Sequence, residues 1–314
     1  MEKTYKRSDK NYMKRVLAFM LAALVISAAA AQNAADAVKV SSPNGAPALS
    51  LASLAEKNPE HYTFVAAETI SAEFANNKAD FIVAPVNAGA KLYKMKKSTY
   101  KLAAVVTWGN LYFASQKKNF TISDIQTTGI TLFGENTINA SVALAALQQN
   151  GITPKTAYLG SAAATQTLLL SDPQAVVLTA EPALTAAKIK NPAVTAYAVN
   201  DLYKKATGFD GYAQAGLFVS AQLLERNPQA VKDFLVQAEA SCKKCTDNTA
   251  AVAKAAAALG ILPNAKIAQS AIPNCAIRFV PAVQAKKQVE ATARIDLKQF
   301  GGALPADDFY YGQK

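Results

Sequence analysis

The chain has 314 residues, of which 51% are hydrophobic and 18% are charged. This length favours two domains over one, and the composition excludes an intrinsically disordered protein. The formal net charge is +11, but the lysines are scattered and no basic run is interleaved with aromatic residues. The charge therefore predicts a solvated basic surface that attracts anionic solutes at long range, and it argues against nucleic-acid binding.

The N-terminus has the pattern of an export signal. Six basic and two acidic residues lie within residues 1–31, and residues 16–26 form an apolar run of 11 residues. Small residues at 27–31 supply the cleavage site that signal peptidase requires. We predict a signal peptide over residues 1–31 with cleavage after Ala31. An uncleaved anchor is disfavoured because the apolar stretch is shorter than the roughly 20 residues of a spanning helix. No cysteine lies near the cleavage point, so the mature protein is expected in a periplasm or outside the cell without a lipid anchor.

Short apolar runs alternate with helical patterns in the first part of the mature chain. The predicted strands cover residues 37–42, 62–66, 80–84 and 102–106. The predicted helices follow the first three strands, and Asn87 is expected to cap the third helix. A polar bend at residues 107–110 surrounds the only tryptophan, Trp108, before a further extended run at 111–114. This bend is either a ligand-lined hinge or a corner with a core tryptophan.

The same alternation returns in the middle of the chain, with predicted strands at residues 130–133, 157–159, 175–178 and 194–199. Residues 201–210 are predicted as a loop, and a long apolar strand is predicted over 212–220. Asn227 and Pro228 are the expected cap and first residue of a helix. Residues 263–273 are predicted as a connector, and residues 283–298 as a helix.

The two strand–helix repeats predict an α/β protein of two lobes, each a mainly parallel sheet flanked by helices. Two extended segments bracket the second repeat, which predicts two hinge crossings between the lobes. We assign residues 32–113 and 216–314 to the first lobe and residues 114–215 to the second. Ligands bind beyond the carboxyl ends of strands in such sheets, so the two lobes are expected to share one cleft.

Three cysteines remain in the exported chain, and they allow one disulfide with one thiol left over. Cys242 and Cys245 form a CxxC pair, but the pair follows a helical pattern and not a strand. A structural disulfide using Cys275, or reduced thiols, is therefore favoured over a redox centre. A zinc site is disfavoured because the only histidine, His61, lies in an unrelated stretch.

Several motifs together resemble a known family. They are APxNxxAKLY at 84–93, VVTWGNLYFAS at 105–115, Glu181-Pro182 after a strand, the helix capped by Asn227-Pro228, and the closing IPNCxIxFV and GGxLPxDDFYY. The chain is similar to solute-binding proteins of ABC importers, in the nitrate, sulfonate, taurine and thiamine-precursor binding family with the type II periplasmic-binding fold. The resemblance covers nearly all of the mature chain and does not specify the solute.

The resemblance implies a monomer that closes like a Venus flytrap on a small molecule and delivers it to the transmembrane subunits of an ABC permease, without a cofactor or a metal. It also implies that the solute lies at loops that follow strands. The corresponding positions are Gly45, Ala46, Pro47, Pro85, Asn87, Thr107, Trp108, Gly109, Asn136, Thr137 and Glu181.

Each of these residues also has an ordinary structural interpretation. Asn87, Asn136 and Thr137 are common helix caps, and Glu181 is either a partner for a cationic group or a carboxylate favoured by a helix dipole. The charge of the solute stays open for this reason. Alternatives to transport are an enzyme of related fold, a lyase or synthase, and an exported CxxC redox protein. The enzyme alternative is disfavoured because the sequence shows no acid–base or nucleophile pair.

Overall fold

The computed structural model describes residues 38–313, so the predicted signal peptide lies outside the described residues. The chain forms two sheets. Their strands are β1 (Val40–Pro43), β2 (Tyr62–Val65), β3 (Phe81–Pro85), β4 (Lys101–Thr107), β5 (Leu111–Ser115), β6 (Ile130–Phe133), β7 (Thr156–Leu159), β8 (Val176–Ala180), β9 (Thr195–Ala198), β10 (Ala215–Val219) and β11 (Ile277–Pro281).

Helices cover the faces of both sheets. They are α1 (Ala46–Leu49), α2 (Ala52–Ala55), α3 (Ile70–Asn76), α4 (Val86–Lys94), α5 (Ile125–Thr128), α6 (Ile138–Gln149), α7 (Ala162–Ser171), α8 (Ala183–Lys190), α9 (Val199–Thr207), α10 (Ala221–Arg226), α11 (Pro228–Asp247), α12 (Thr249–Ala258), α13 (Ala265–Ala271) and α14 (Ala282–Ile295). Short 3₁₀ turns include Ile272–Asn274 and Leu297–Phe300. None of the helices within residues 38–313 combines the length and the apolar character needed to cross a bilayer.

The first sheet has the strand order β11-β4-β10-β3-β1-β2, and the second has the order β7-β6-β8-β5-β9. In the first sheet β10 and β11 run antiparallel to their neighbours, while β1 pairs in parallel with β2 and β3. In the second sheet β5 runs antiparallel to β8 and β9. The predicted two-lobed α/β class is confirmed. The first sheet is mixed because β10, which returns from the second lobe, and β11 run against the other strands, and the second is mixed because β5, which comes from the first lobe, runs against β8 and β9.

The predicted lobe boundary between residues 113 and 114 falls inside β5. This strand pairs with β8 on one side and β9 on the other, so all of it belongs to the second sheet. The first crossing is therefore the short segment 108–110 between β4 and β5. The second crossing, residues 208–214, leads from α9 to β10.

The helix predicted after Asn227 shows how local sequence specifies packing. The Asn227 side chain accepts a hydrogen bond from the backbone N–H of Ala230, and Pro228 is the first helical residue. Val231, Phe234 and Ala238 recur at helical spacing and are buried. Phe234 stacks on Phe81 of β3 with ring centroids 4.2 Å apart, which fixes α11 against the first sheet.

Two predicted irregular stretches are helical. The loop predicted at 201–210 is wrong for most of its length, because α9 runs through Thr207 and ends at Gly208 in the left-handed conformation. Its Val199, Leu202 and Tyr203 are buried on one face, a three-and-four spacing that indicates a helix. The connector predicted at 263–273 is also wrong, since α13 begins behind an Asn264 side-chain cap.

Candidate ligand-binding cleft

The two hinge crossings lie against each other. The backbone N–H of Gln214 donates to the carbonyl of Thr107 at 3.1 Å, and its side-chain Nε2 donates to Asn110 Oδ1 at 2.8 Å. A methyl group on Gly211 would lie 2.1 Å from the Trp108 carbonyl oxygen. The second crossing therefore passes too close to the first to accept a side chain at this position.

A side chain of the second lobe stabilises the bend of the first crossing by hydrogen bonds. Asn200 Nδ2, on α9, donates to the carbonyl oxygens of both Trp108 and Gly109 at 2.9 Å. Gly109 has a φ of +89°, and a Cβ there would lie 2.5 Å from Asn200 Oδ1. Glycine is required at this turn for both reasons.

Trp108 packs in the interior beside the hinge. Its side chain is 2% exposed, and its Nε1 donates to the Arg278 carbonyl at 2.9 Å. The Arg278 guanidinium lies 4.8 Å from the centre of the indole ring, a cation–π distance. These contacts give Trp108 a structural role at the end of β4.

A cleft with a volume of about 430 Å³ lies between the lobes. Its walls include the carboxyl ends of β1, β3 and β6 and the turn after β7, which is where ligands bind in sheets of this kind. The first lobe and the second crossing contribute Asn44, Asn87, Gln214 and Gln299. The second lobe contributes Thr137, Asn139 and Ser161, with Phe133 as an apolar wall. Among the described residues that line the cleft, Glu68 alone carries a charge.

Three helices of eight or more residues begin at this cleft. They are α4, α6 and α7, and their first residues or caps line it. The Thr137 and Ser161 side chains accept hydrogen bonds from the third residues of α6 and α7. Other N–H groups in the first turn of a helix have no partner within the helix, and the dipole is positive at that end. The cleft therefore offers donors to the oxygen or nitrogen acceptors of a solute.

The structure places four of the predicted ligand positions in this cleft: Pro47, Pro85, Asn87 and Thr137. The predicted capping role of Asn87 is wrong. Helix α4 begins at Val86, so Asn87 is its second residue. Contact of these four residues with a solute stays a prediction.

The other predicted positions do not line the cleft. Ala46 is buried in α1, and Gly45 precedes it with a φ of +97°. Thr107 is fully buried, and its Oγ1 accepts a hydrogen bond from the backbone N–H of Ala215. Asn136 is exposed, and its carbonyl accepts a hydrogen bond from Gln299 Nε2. Trp108, Gly109 and Glu181 belong to the hinge and its surroundings.

Sequence reasoning missed Ser161, Asn139, Gln214 and Gln299. Ser161 is a polar residue that follows a strand and caps a helix. Thr137 was predicted from the same combination of positions, so the sequence could also have indicated Ser161. Asn139 is the second residue of α6 and accepts a hydrogen bond from Tyr212 Oη at 3.1 Å. Gln214 and Gln299 carry no local signal, because only the packing of distant segments brings them to the cleft.

A larger groove, about 600 Å³, lies at the other end of the first lobe, where β4 begins. Lys94, Lys96, Lys101 and Asp308 line it. It receives residues from the first lobe alone, and lobe closure would not enclose a ligand there. The interlobe cleft is therefore the better candidate for solute capture.

Direct contacts join the lobes on both sides of the hinge. Ser141 Oγ on α6 donates to Asp296 Oδ2 at 2.8 Å, just beyond α14. On the side of α8, Tyr112 Oη donates to the Asn274 carbonyl at 3.0 Å. These bonds stabilise the relative position of the lobes in this conformation.

Glu181 lies beside the hinge with its carboxylate turned to its own helix. It is 4% exposed, and its carboxylate accepts hydrogen bonds from the Thr185 backbone N–H at 3.1 Å and Thr185 Oγ1 at 2.9 Å. Burial raises the pKa of Glu181, and the two Thr185 hydrogen bonds oppose that rise. The carboxylate thus has partners within the protein and does not line the cleft.

The raised pKa of Glu181 predicts a pH-dependent stability difference from Glu181→Gln. Because the folded protein binds this proton more tightly than the unfolded chain, protonation favours folding as pH falls toward the ordinary pKa of 4.5. The melting temperature of the wild type, relative to Glu181→Gln, should therefore rise between pH 7 and pH 4.5. Thr185→Val removes a hydrogen bond that lowers the pKa, so it should strengthen this trend. A difference between wild type and Glu181→Gln that is constant with pH would contradict the assignment.

The three cysteines are buried and unpaired. Cys242 and Cys245 lie inside α11, and their Sγ atoms face the Ser50 and Leu49 carbonyl oxygens. Burial raises the pKa of Cys245 to about 12. A thiol with so high a pKa is a poor nucleophile at neutral pH, which argues against a redox role for the CxxC pair. Within residues 38–313, no three His, Cys, Asp or Glu side chains come together as a metal site.

No protein-family model and no curated protein sequence matches this chain. Its fold matches many solved structures. An ABC transporter protein from Parabacteroides distasonis is 22% identical, with a TM-score of 0.77 over 88% of this chain and 99% of that chain. The periplasmic aliphatic sulphonate binding protein from Escherichia coli is 14% identical, with a TM-score of 0.68 over 88% and 92%.

A third structure extends the likeness beyond bacteria. It is a conserved Candida albicans gene product described as exhibiting the generic periplasmic binding protein structural fold. It is 11% identical, with a TM-score of 0.54 over 87% of this chain and 92% of that chain. The chain therefore has the fold of the periplasmic binding proteins, as the resemblance in its sequence predicted.

Proposed function

We propose that this chain is an exported solute-binding protein that captures a small molecule between its lobes and delivers it to the transmembrane subunits of an ABC importer. The observation that carries the proposal is the cleft, which receives residues from both lobes at the carboxyl ends of their strands. Two crossings alone connect the sheets within the described chain, so rotation about the hinge would open and close the cleft.

The size and chemistry of the cleft support a small polar solute. Its volume of about 430 Å³ lies in the range of small-molecule sites. Uncharged polar side chains and helix N-termini provide hydrogen bonds, while Phe133 and prolines provide apolar walls. The Glu181 carboxylate accepts hydrogen bonds from Thr185 and does not line the cleft. It therefore gives no reason to exclude an anionic solute.

The fold neighbours support binding over catalysis. One is named for aliphatic sulphonate binding and another as an ABC transporter, and we extend transport to this chain as a proposal. A signal peptide over residues 1–31, a periplasmic or extracellular location and a monomeric state belong to the same proposal. The basic surface would favour the approach of anionic solutes.

A thermal-shift screen tests the proposed function. The mature protein is heated with sulfonates, nitrate, pyrimidines, flavins and amino acids. A solute at ten times its Kd should add about 1.4 kcal/mol to the free energy of unfolding, since it binds the folded state alone. Small-angle scattering of the same samples should show a smaller radius of gyration on binding.

A matched pair of variants assigns the binding to the cleft. Ala162→Trp places an indole in the cleft, because Ala162 lines it, and should abolish the thermal shift. Ala163→Trp, at the next and exposed position, should preserve it. Absence of a shift with every class, together with chemical conversion of one of them, would overturn transport in favour of the enzyme alternative.

A further inference from the structure

The groove on the first lobe has the size of a ligand site, although it lies away from the interlobe cleft. Its walls are the second half of α4, the loop that joins α4 to β4, and the C-terminal segment 304–309. Its volume of about 600 Å³ lies within the range of small-molecule sites. Movement of the lobes does not change these walls, so a ligand would bind there whether the cleft is open or closed.

The C-terminal wall of the groove is anchored in the core of the lobe. Phe309 is fully buried, and its ring centroid lies 5.5 Å from that of Tyr93 on α4. The backbone N–H of Tyr311 donates to the Leu102 carbonyl at 2.8 Å. Tyr93 Oη also donates to Asp308 Oδ2 at 2.9 Å. These contacts join the C-terminal segment to α4 and β4, so the groove is a formed part of the lobe.

Apolar residues from each side of the groove keep part of their surface exposed. They are Tyr93, Ala221, Leu304 and Pro305. Water in contact with such surfaces is released when a hydrocarbon or aromatic group covers them, which is favourable. The lining therefore suits a ligand with an apolar body.

Three lysines line the same groove: Lys94, Lys96 and Lys101. None of them forms an ion pair with a carboxylate of the described residues. Asp308 is the one acidic residue among the described residues that line the groove, and it already accepts the hydrogen bond from Tyr93 Oη. The groove thus combines an apolar surface with cationic groups that lack a negative partner, and it attracts an anion.

The backbone at Lys96 is an independent indication of a ligand. Lys96 follows the end of α4 with a φ of +56°. Its N–H donates to the Tyr93 carbonyl, and the Lys97 N–H donates to the Leu92 carbonyl, both at 2.9 Å. This is the Schellman arrangement, in which glycine is the usual residue at the left-handed position. Strain of this kind concentrates at functional sites, and an anion bound to the Lys96 ammonium group would account for lysine in place of glycine.

We propose that this groove binds an amphipathic organic anion, with its acidic head beside the three lysines and its apolar body along Tyr93 and Leu304. The site is separate from the interlobe cleft, and the inference does not rest on the proposed function. A concave groove between a helix and a chain segment admits a single molecule but does not lie flat on a bilayer. The proposed ligand is therefore a free amphiphile and not a membrane surface.

Octanoate, octanamide and acetate separate the two parts of such a ligand. Octanoate carries both the charge and the apolar chain, octanamide carries the chain alone, and acetate carries the charge with almost no chain. Calorimetric titration of the mature protein should give octanoate a Kd at least tenfold lower than that of either other probe. The affinity for octanoate should fall as sodium chloride is added, because salt screens the attraction to the lysines.

Variants connect the binding to the groove. Lys96→Gly removes a cation and supplies the residue that the left-handed position favours. Its melting temperature should equal or exceed that of the wild type, while the Kd for octanoate rises at least fivefold. Lys97→Gln is the matched control, since Lys97 is the next residue and does not line the groove, and it should change the Kd less than twofold. Leu304→Glu places a carboxylate on the apolar wall and should abolish binding.

Three results would overturn the inference directly. They are absence of saturable octanoate binding, an affinity for octanamide equal to that for octanoate, and equal losses of affinity from Lys96→Gly and Lys97→Gln. The last result would show attraction by the basic surface in general. Sedimentation with anionic phospholipid vesicles that depends on Lys96, without octanoate binding, would identify a membrane-docking surface and overturn the inference as well.

One further variant separates this site from the interlobe cleft. Ala162→Trp, which places an indole in the cleft, should leave the affinity for octanoate unchanged. Loss of octanoate binding in this variant would place the anion between the lobes. That result overturns the groove as a binding site and supports the proposed function, so the two can fail independently.

Discussion

Replacing Trp108 with alanine is expected to lower the free energy of unfolding by about 3–5 kcal/mol, the usual cost of removing a large buried aromatic side chain. The indole is almost fully buried, stacks beneath the Arg278 guanidinium and donates to the Arg278 carbonyl. The variant would leave a cavity at the end of β4 and an acceptor without its donor. Urea denaturation should be followed by circular dichroism, because Trp108 is the only tryptophan in the chain.

Trp108→Phe separates the structural role from ligand contact. It keeps an aromatic ring and loses the Nε1 hydrogen bond, so we expect a smaller loss of about 1–2 kcal/mol. The Kd of a confirmed solute should change less than threefold, since Trp108 does not line the cleft. A tenfold loss of affinity with an unchanged melting temperature would place the indole in contact with the solute.

Gly211→Ala is expected to destabilise the protein by about 3 kcal/mol, at the upper end for overpacking. The added Cβ would meet the Trp108 carbonyl oxygen at 2.1 Å. That oxygen belongs to the backbone of the other crossing, so it cannot turn away as a flexible side chain would. Relief requires the two crossings to separate, which would disturb the Gln214 contacts with Thr107 and Asn110.

Gly160→Ala is the matched control for this variant. A Cβ added at Gly160 would have no other atom within 4 Å, and the residue has no positive φ. Its substitution should therefore change the free energy of unfolding by less than about 0.5 kcal/mol. Both variants can be compared by urea denaturation with circular dichroism. Equal stability of the two proteins would show that the crossings are not in the close contact described above.

Most of the helices and strands follow from local sequence. Residues 130–133 are a strand as predicted, and Asn227-Pro228 begins a helix as predicted. The error at α9 shows the limit of local patterns. Its apolar residues have helical spacing, but charged and small residues between them gave the segment the composition of a loop. Tertiary burial of Val199, Leu202 and Tyr203 decided the outcome.

The cleft was accessible to sequence reasoning in part. Pro47, Pro85, Asn87 and Thr137 follow strands or begin helices, and in a sheet of this class those positions lie at one edge. Trp108 and Glu181 also follow strands, yet their side chains turn away from the cleft, one toward Arg278 and the other toward Thr185. Position after a strand specifies an edge of the sheet, but not the direction of a side chain.

Local apolar periodicity and capping residues are properties of neighbouring positions, so the amino-acid sequence alone specifies most of the strands and helices and the two-lobed order of the chain. The composition of the cleft depends on residues far apart. Asn87, Gln214 and Gln299 meet there because β3 pairs with β10 and the segment after α14 reaches across to Asn136. Long-range packing and hydrogen bonds together determine which distant residues become neighbours in the cleft. No short stretch of sequence contains that information.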